Sequence, residues 1–111
     1  MLIESQTINL RNNEIEISIL ASIYANGAFQ PTVKTIDPTK LTKVQLLIGT
    51  MMLDSSINPE YFDLTNTDRF IFKLGSAGLS TGIFVSAIYA FDSVNILGIK
   101  LLEFIINNSQ G

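Results

Sequence analysis

Residues 14–19 alternate polar and apolar side chains, and Ile15, Ile17 and Ile19 fall on one side. A period of two marks a strand with one dry and one wet face. The same rhythm at residues 69–74 sets Phe70, Phe72 and Leu74 against Arg69, Ile71 and Lys73. Ile8 and Leu10 flank Asn9 and predict a shorter strand in an N-terminal arm of residues 1–12. Asn26-Gly27 is a strong hairpin signal, with a strand over residues 30–36 to follow. Asp37-Pro38-Thr39-Lys40 predicts a turn, because proline lacks a ladder donor and restricts the residue before it.

Residues 42–53 begin with Val44, Leu46 and Ile48 opposite Lys43 and Gln45; Leu47 and Met51-Met52-Leu53 then make both faces apolar. A helix competes, since Leu41, Val44, Leu47 and Ile48 also have helical spacing. Gly49-Thr50 and the β-branched content favour one strand, central in a sheet or facing a partner. Residues 54–68 read as a polar loop with one helical turn at Pro59-Glu60-Tyr61, pinned to the core by Tyr61, Phe62 and Leu64. Turns at residues 75–78 and 81–82 precede the most apolar strand, residues 82–91. A turn at residues 92–95 leads through Gly98 to a last strand over residues 99–106 and a frayed tail from 107 to 111. The expectation is a single all-β domain, residues 1–111, of about seven short antiparallel strands forming a β-sandwich.

Composition sharpens this picture. The chain is 47% hydrophobic and 15% charged, with mean hydropathy +0.36, against roughly 25% charged residues in a typical domain. A well-filled core explains that, and so does apolar surface covered by a partner; both can hold together. The net charge is −3 and the seven basic residues are scattered, so a phosphate-tracking surface is not expected. Without cysteine, disulfides and thiolate metal sites are excluded. No basic stretch precedes an apolar one near Met1, so no secretory signal is expected. The longest apolar runs are split by Ser86 and ended by Asp92, too short to cross a bilayer as a helix. The expected setting is a cytoplasm, with neither membrane nor nucleic acid as partner.

Candidate chemistry is sparse. Histidine and cysteine are absent, which removes the usual neutral-pH base and the soft metal ligands. Asp54, Asp63, Asp68 and Asp92 all fall in predicted turns at strand ends. Brought together they would hold calcium or hydrolyse a glycosidic bond; their local preference for turns explains their placement without either. Ser55, Ser56 and Ser80 have no base to activate them. Phe70, Phe72, Phe84, Tyr89, Phe91 and Phe104 fit core packing better than sugar stacking. No catalytic residue, cofactor or metal ligand is assigned.

Four segments between Asp37 and Ile106 carry a resemblance. Leu41-Thr42-Lys43-Val44 opens a strand after a polar turn. Leu53-Asp54-Ser55-Ser56-Ile57-Asn58-Pro59-Glu60-Tyr61-Phe62-Asp63 forms a D-S-x-x-[ND]-P loop. Phe72-Lys73-Leu74-Gly75 stands ahead of Leu79-Ser80-Thr81-Gly82-Ile83-Phe84. Ala90-Phe91-Asp92-Ser93-Val94-Asn95-Ile96-Leu97-Gly98-Ile99 completes the set. Together they resemble the small immunoglobulin-like β-sandwich structural proteins of tailed phages. The resemblance implies an immunoglobulin-like fold, a place in the virion, and docking onto other virion proteins and onto copies of itself. Phe84 stands where many such folds carry a corner tyrosine, so that hydrogen bond is missing. Val44, Leu46, Ile48, Met51 and Met52 are the expected interface residues. The competing expectation is a module that binds host-surface glycans, with calcium, through the Asp-bearing loops.

Overall fold

A computed structural model describes residues 4–9, 16–25, 33–75, 77–93 and 95–107. Among them are ten strands: β1 Glu4–Asn9, β2 Glu16–Leu20, β3 Ser22–Ala25, β4 Val33–Thr35, β5 Lys43–Ile48, β6 Met51–Asp54, β7 Phe62–Asp63, β8 Arg69–Lys73, β9 Gly82–Asp92 and β10 Asn95–Asn107. Short 3-10 turns occupy Pro38–Lys40 and Pro59–Tyr61.

Two sheets result. The larger runs β4-β3-β10-β9-β5-β6, with β1 also on β10; the smaller runs β2-β8-β7. One cluster of buried side chains joins Ile17, Ile19, Phe70 and Phe72 of the smaller sheet to Val44, Leu46, Ile48, Ile88, Leu102, Phe104 and Ile106 of the larger. Phe72 packs edge-on against Phe62, ring centroids 5.6 Å apart, and alongside Phe70 at 6.1 Å. The chain is therefore an all-β sandwich. Its pairing β2-β8-β7 against β6-β5-β9-β10 is the B-E-D and C′-C-F-G order of an immunoglobulin-like fold. The β3–β4 hairpin is an addition in the connection between the two sheets.

Ala21 makes the switch between sheets. Its N–H donates to Asp68 O at 2.8 Å, continuing the smaller sheet, and its carbonyl accepts from Ile36 N–H at 2.9 Å, continuing the larger. The long β10 serves two partners along one edge. β3 pairs antiparallel at Gly98 and Ile99, and β1 pairs parallel from Leu102 to Asn107. The buried Lys100 lies between them and donates to Leu20 O at 2.9 Å and Ser22 Oγ at 3.2 Å. Its ammonium thus meets backbone and hydroxyl oxygens where the chain changes sheets.

Several expectations change. Among the described residues the strands number ten, two of them eleven and thirteen residues long, and β1 is parallel to β10. Residues 42–53 are two strands, because Gly49, at φ +59°, turns the chain back and pairs β5 with β6. Tyr24 pairs with Val33; Asn26-Gly27, Ile15 and Leu10 lie outside the described residues. Gly98 is buried. It borders a register shift between Ile96 and Gly98, where Leu97 is the extra residue of a bulge. Ser93, at φ +56°, takes the positive φ in the β9–β10 turn.

Phe84 occupies the corner as a packing residue, half-buried against the core. A Cβ at Gly49 would stand 3.0 Å from its ring. Gly49→Ala therefore combines left-handed backbone cost with a close contact, and is expected to destabilise the fold by about 2 kcal/mol. Urea denaturation of the two proteins measures this; an unchanged midpoint would remove the role given to this turn.

Candidate functional site

Alternation assigns each face. In β5, Val44, Leu46 and Ile48 are sealed in the core, so Lys43, Gln45 and Leu47 face outward. In β9, Ser86, Ile88 and Ala90 are inward, which turns Ile83, Val85, Ala87, Tyr89 and Phe91 outward. In β10, Leu102, Phe104 and Ile106 are inward, and Ile99, Leu101, Glu103 and Ile105 outward.

Register then builds the outer face row by row. Met52, Leu47, Ala87 and Leu101 cross four strands side by side. Asp54, Gln45, Tyr89 and Ile99 form the next row on one side. On the other side Val85 stands beside Glu103 and Ser5, and Ile83 beside Ile105 and Thr7. Ile83 is 67% exposed and Val85 70%; Met52 and Leu101 are also exposed. A contiguous apolar patch on a soluble domain is a common mark of a binding surface.

The outer face of the smaller sheet differs. Glu16 faces Lys73 across β2 and β8, with the charges 3.9 Å apart. Arg69 Nε donates to Ser18 Oγ at 2.5 Å. Leu20 and Ile71 interrupt this polar surface without forming a run. The two sides of the sandwich therefore present different chemistry to solvent.

Of the expected interface residues, Val44, Leu46 and Ile48 lie in the core, out of a partner's reach while the sandwich is closed. Met51 is partly buried against that core. Met52 alone of the five reaches the outer face and is exposed. Apolar content along residues 44–53 does not by itself separate the inward phase from the outward one.

The aspartates do not converge. Asp54 points to the outer face of the larger sheet beside Gln45, and Asp63 to that of the smaller sheet beside Ile71. Asp63 accepts from Thr65 N–H at 3.1 Å and from the Thr65 hydroxyl at 2.5 Å. These Thr65 hydrogen bonds hold its carboxyl below the usual range. Asp68 and Asp92 are exposed. Among the described residues no three acidic side chains gather as a metal site would require.

Asp54 instead closes the edge of the larger sheet. Its Oδ1 accepts from Ser56 N–H at 2.8 Å and from the Ser56 hydroxyl at 2.5 Å, and its Oδ2 accepts from Gln45 Nε2 at 2.8 Å. Lys43 Nζ lies 3.7 Å away and also sits over the Phe91 ring. The Asp54 carbonyl accepts from Ile57 and Asn58, while its own N–H donates to Asn58 Oδ1 at 3.2 Å. Ser55 exchanges two bonds with the backbone of Val44. The D-S-x-x-N-P segment is thus a stop that folds a strand end onto itself.

Burial alone would raise the Asp54 pKa, but the Gln45 and Ser56 hydrogen bonds and the Lys43 charge outweigh it and hold the group at about 2. Because the folded pKa lies below the unfolded value of 3.8, the carboxylate contributes stability above pH 4. That contribution is lost as pH falls through 2. Asp54 is buried at this sheet edge, and the contribution is on the order of 1–2 kcal/mol. Urea denaturation at pH 7 and pH 2.5 is expected to show a smaller acid loss in Asp54→Asn than in the parent. Equal losses would contradict the assignment.

No protein-family model, curated protein or solved structure matches this chain.

Proposed function

We propose that this chain is a non-enzymatic structural module of a tailed-phage particle, acting by docking on particle proteins, copies of itself included. The observation that carries this reading is the outer face of the larger sheet. It exposes Ile83 and Val85 beside Leu101 and Met52, while the opposite side of the sandwich is polar and ion-paired. Covering these apolar side chains is favourable by about 25 cal/mol per Å².

The motif resemblance adds to this. The Asp54–Asn58 segment is a structural stop, and the turn at Ser93 a hairpin connection, as motifs of a scaffold would be. The glycan-binding alternative needs Asp-bearing loops brought together; Asp54 and Asp63 stand on opposite outer faces and lend it nothing.

Mass spectrometry of purified particles is expected to find this polypeptide at a fixed ratio to the shell protein; its absence would overturn the reading. Val85→Lys, at an exposed position, is expected to change stability by no more than about 0.5 kcal/mol and yet to disappear from particles. Full incorporation of that folded variant would mean the face is not the docking surface.

A further inference from the structure

We infer that the occupant of this face is a second copy of the chain, paired face to face about a two-fold axis lying along the sheet and crossing β9 at Ile88. This deepens the docking reading of the face and is independent of any role in a particle.

The charges on the face carry the inference. Lys43 lies on β5 opposite Phe91, three residues from Ile88. Glu103 lies on β10 opposite Val85, three residues from Ile88 the other way. The strands β5 and β10 flank β9 on opposite sides. Lys43 and Glu103 are therefore placed symmetrically about Ile88, one residue from Ala87 at the middle of the Ile83–Phe91 stretch. A two-fold axis through Ile88, at right angles to the line joining them, sets Lys43 of each copy over Glu103 of the other. An isologous pair requires such self-complementarity: residue i meets j, and j meets i. The Lys43 ammonium has three donors, so it keeps Asp54 as its own partner and still reaches a second carboxylate.

The area is of the right order. Eight residue steps from Ile83 to Phe91 span about 27 Å, and five strands from β6 to β1 about 19 Å, or roughly 500 Å² in plan. Specific interfaces bury about 600–1,000 Å² of accessible surface per partner, and side-chain relief makes accessible area exceed plan area.

Sedimentation equilibrium of the full chain from micromolar to millimolar concentration tests this, with thermal unfolding of each variant recorded alongside. The parent is expected to reach twice its 12.2 kDa chain mass. Val85→Glu is expected to remain at the chain mass. Glu103→Lys, which sets lysine against lysine, is expected to raise the dimer Kd about tenfold or more, and by less in high salt. A parent monomeric at every concentration overturns the inference, and so does a dimer that neither variant weakens. A dimer weakened by Val85→Glu but not by Glu103→Lys overturns the proposed axis. A monomeric parent that still enters particles removes the second copy and leaves the face as the site of a different protein.

Discussion

The inward faces of β5, β9 and β10 are dry because the aromatic face of β2 and β8 lies over them, and almost every other feature follows from that closure. Phe70, Phe72 and Phe104 are fully buried where the two sheets meet. Side chains alternate along a strand, so fixing Val44, Leu46, Ile48, Ile88, Leu102 and Phe104 inward also fixes Leu47, Val85, Leu101 and Glu103 outward. The exposed apolar face is the other half of the same register. It cannot be removed by slipping a strand without exposing the core.

Closing two sheets with one chain requires crossings, and the polar groups there are matched. Ala21 gives its N–H to one sheet and its carbonyl to the other. Lys100 fills the gap where β10 exchanges β3 for β1. The Asp54–Asn58 segment ends the sheet at β6 with side-chain and backbone bonds that leave this edge strand only four residues long. A short edge strand limits open-ended pairing.

Much of this was legible in the chain. The alternation at residues 69–74 placed Phe70, Phe72 and Leu74 inward, and that of residues 14–19 did so for Ile17 and Ile19. The Asp37 turn and the single helical turn at Pro59 were both marked by proline, and at the first, Asp37 also caps by accepting from Thr39 N–H. The exposed apolar face was harder to read, because β5 and β9 are apolar on both sides. Polarity even points the wrong way in β9: Ser86 is buried, its hydroxyl donating to Phe84 O at 3.1 Å, while Ile83 and Val85 are out in solvent. Only pairing partners across the sheet resolve that phase. The parallel β1, the β5–β6 turn and the bulge at Leu97 likewise depend on long-range register, which local pattern does not carry.

The absence of native cysteine makes thiol labelling along β9 the most direct test of the claim that one phase of this strand serves the core and the other a partner. Cysteines introduced one at a time at Ile83, Val85, Ile88 and Ala90 are labelled in dilute native protein, in concentrated protein and in urea. The account predicts that positions 83 and 85 react rapidly when dilute and slowly when the chain is concentrated or assembled, and that 88 and 90 react only on unfolding. Rapid native labelling at 88 and 90, or labelling at 83 and 85 that never depends on association, would contradict it.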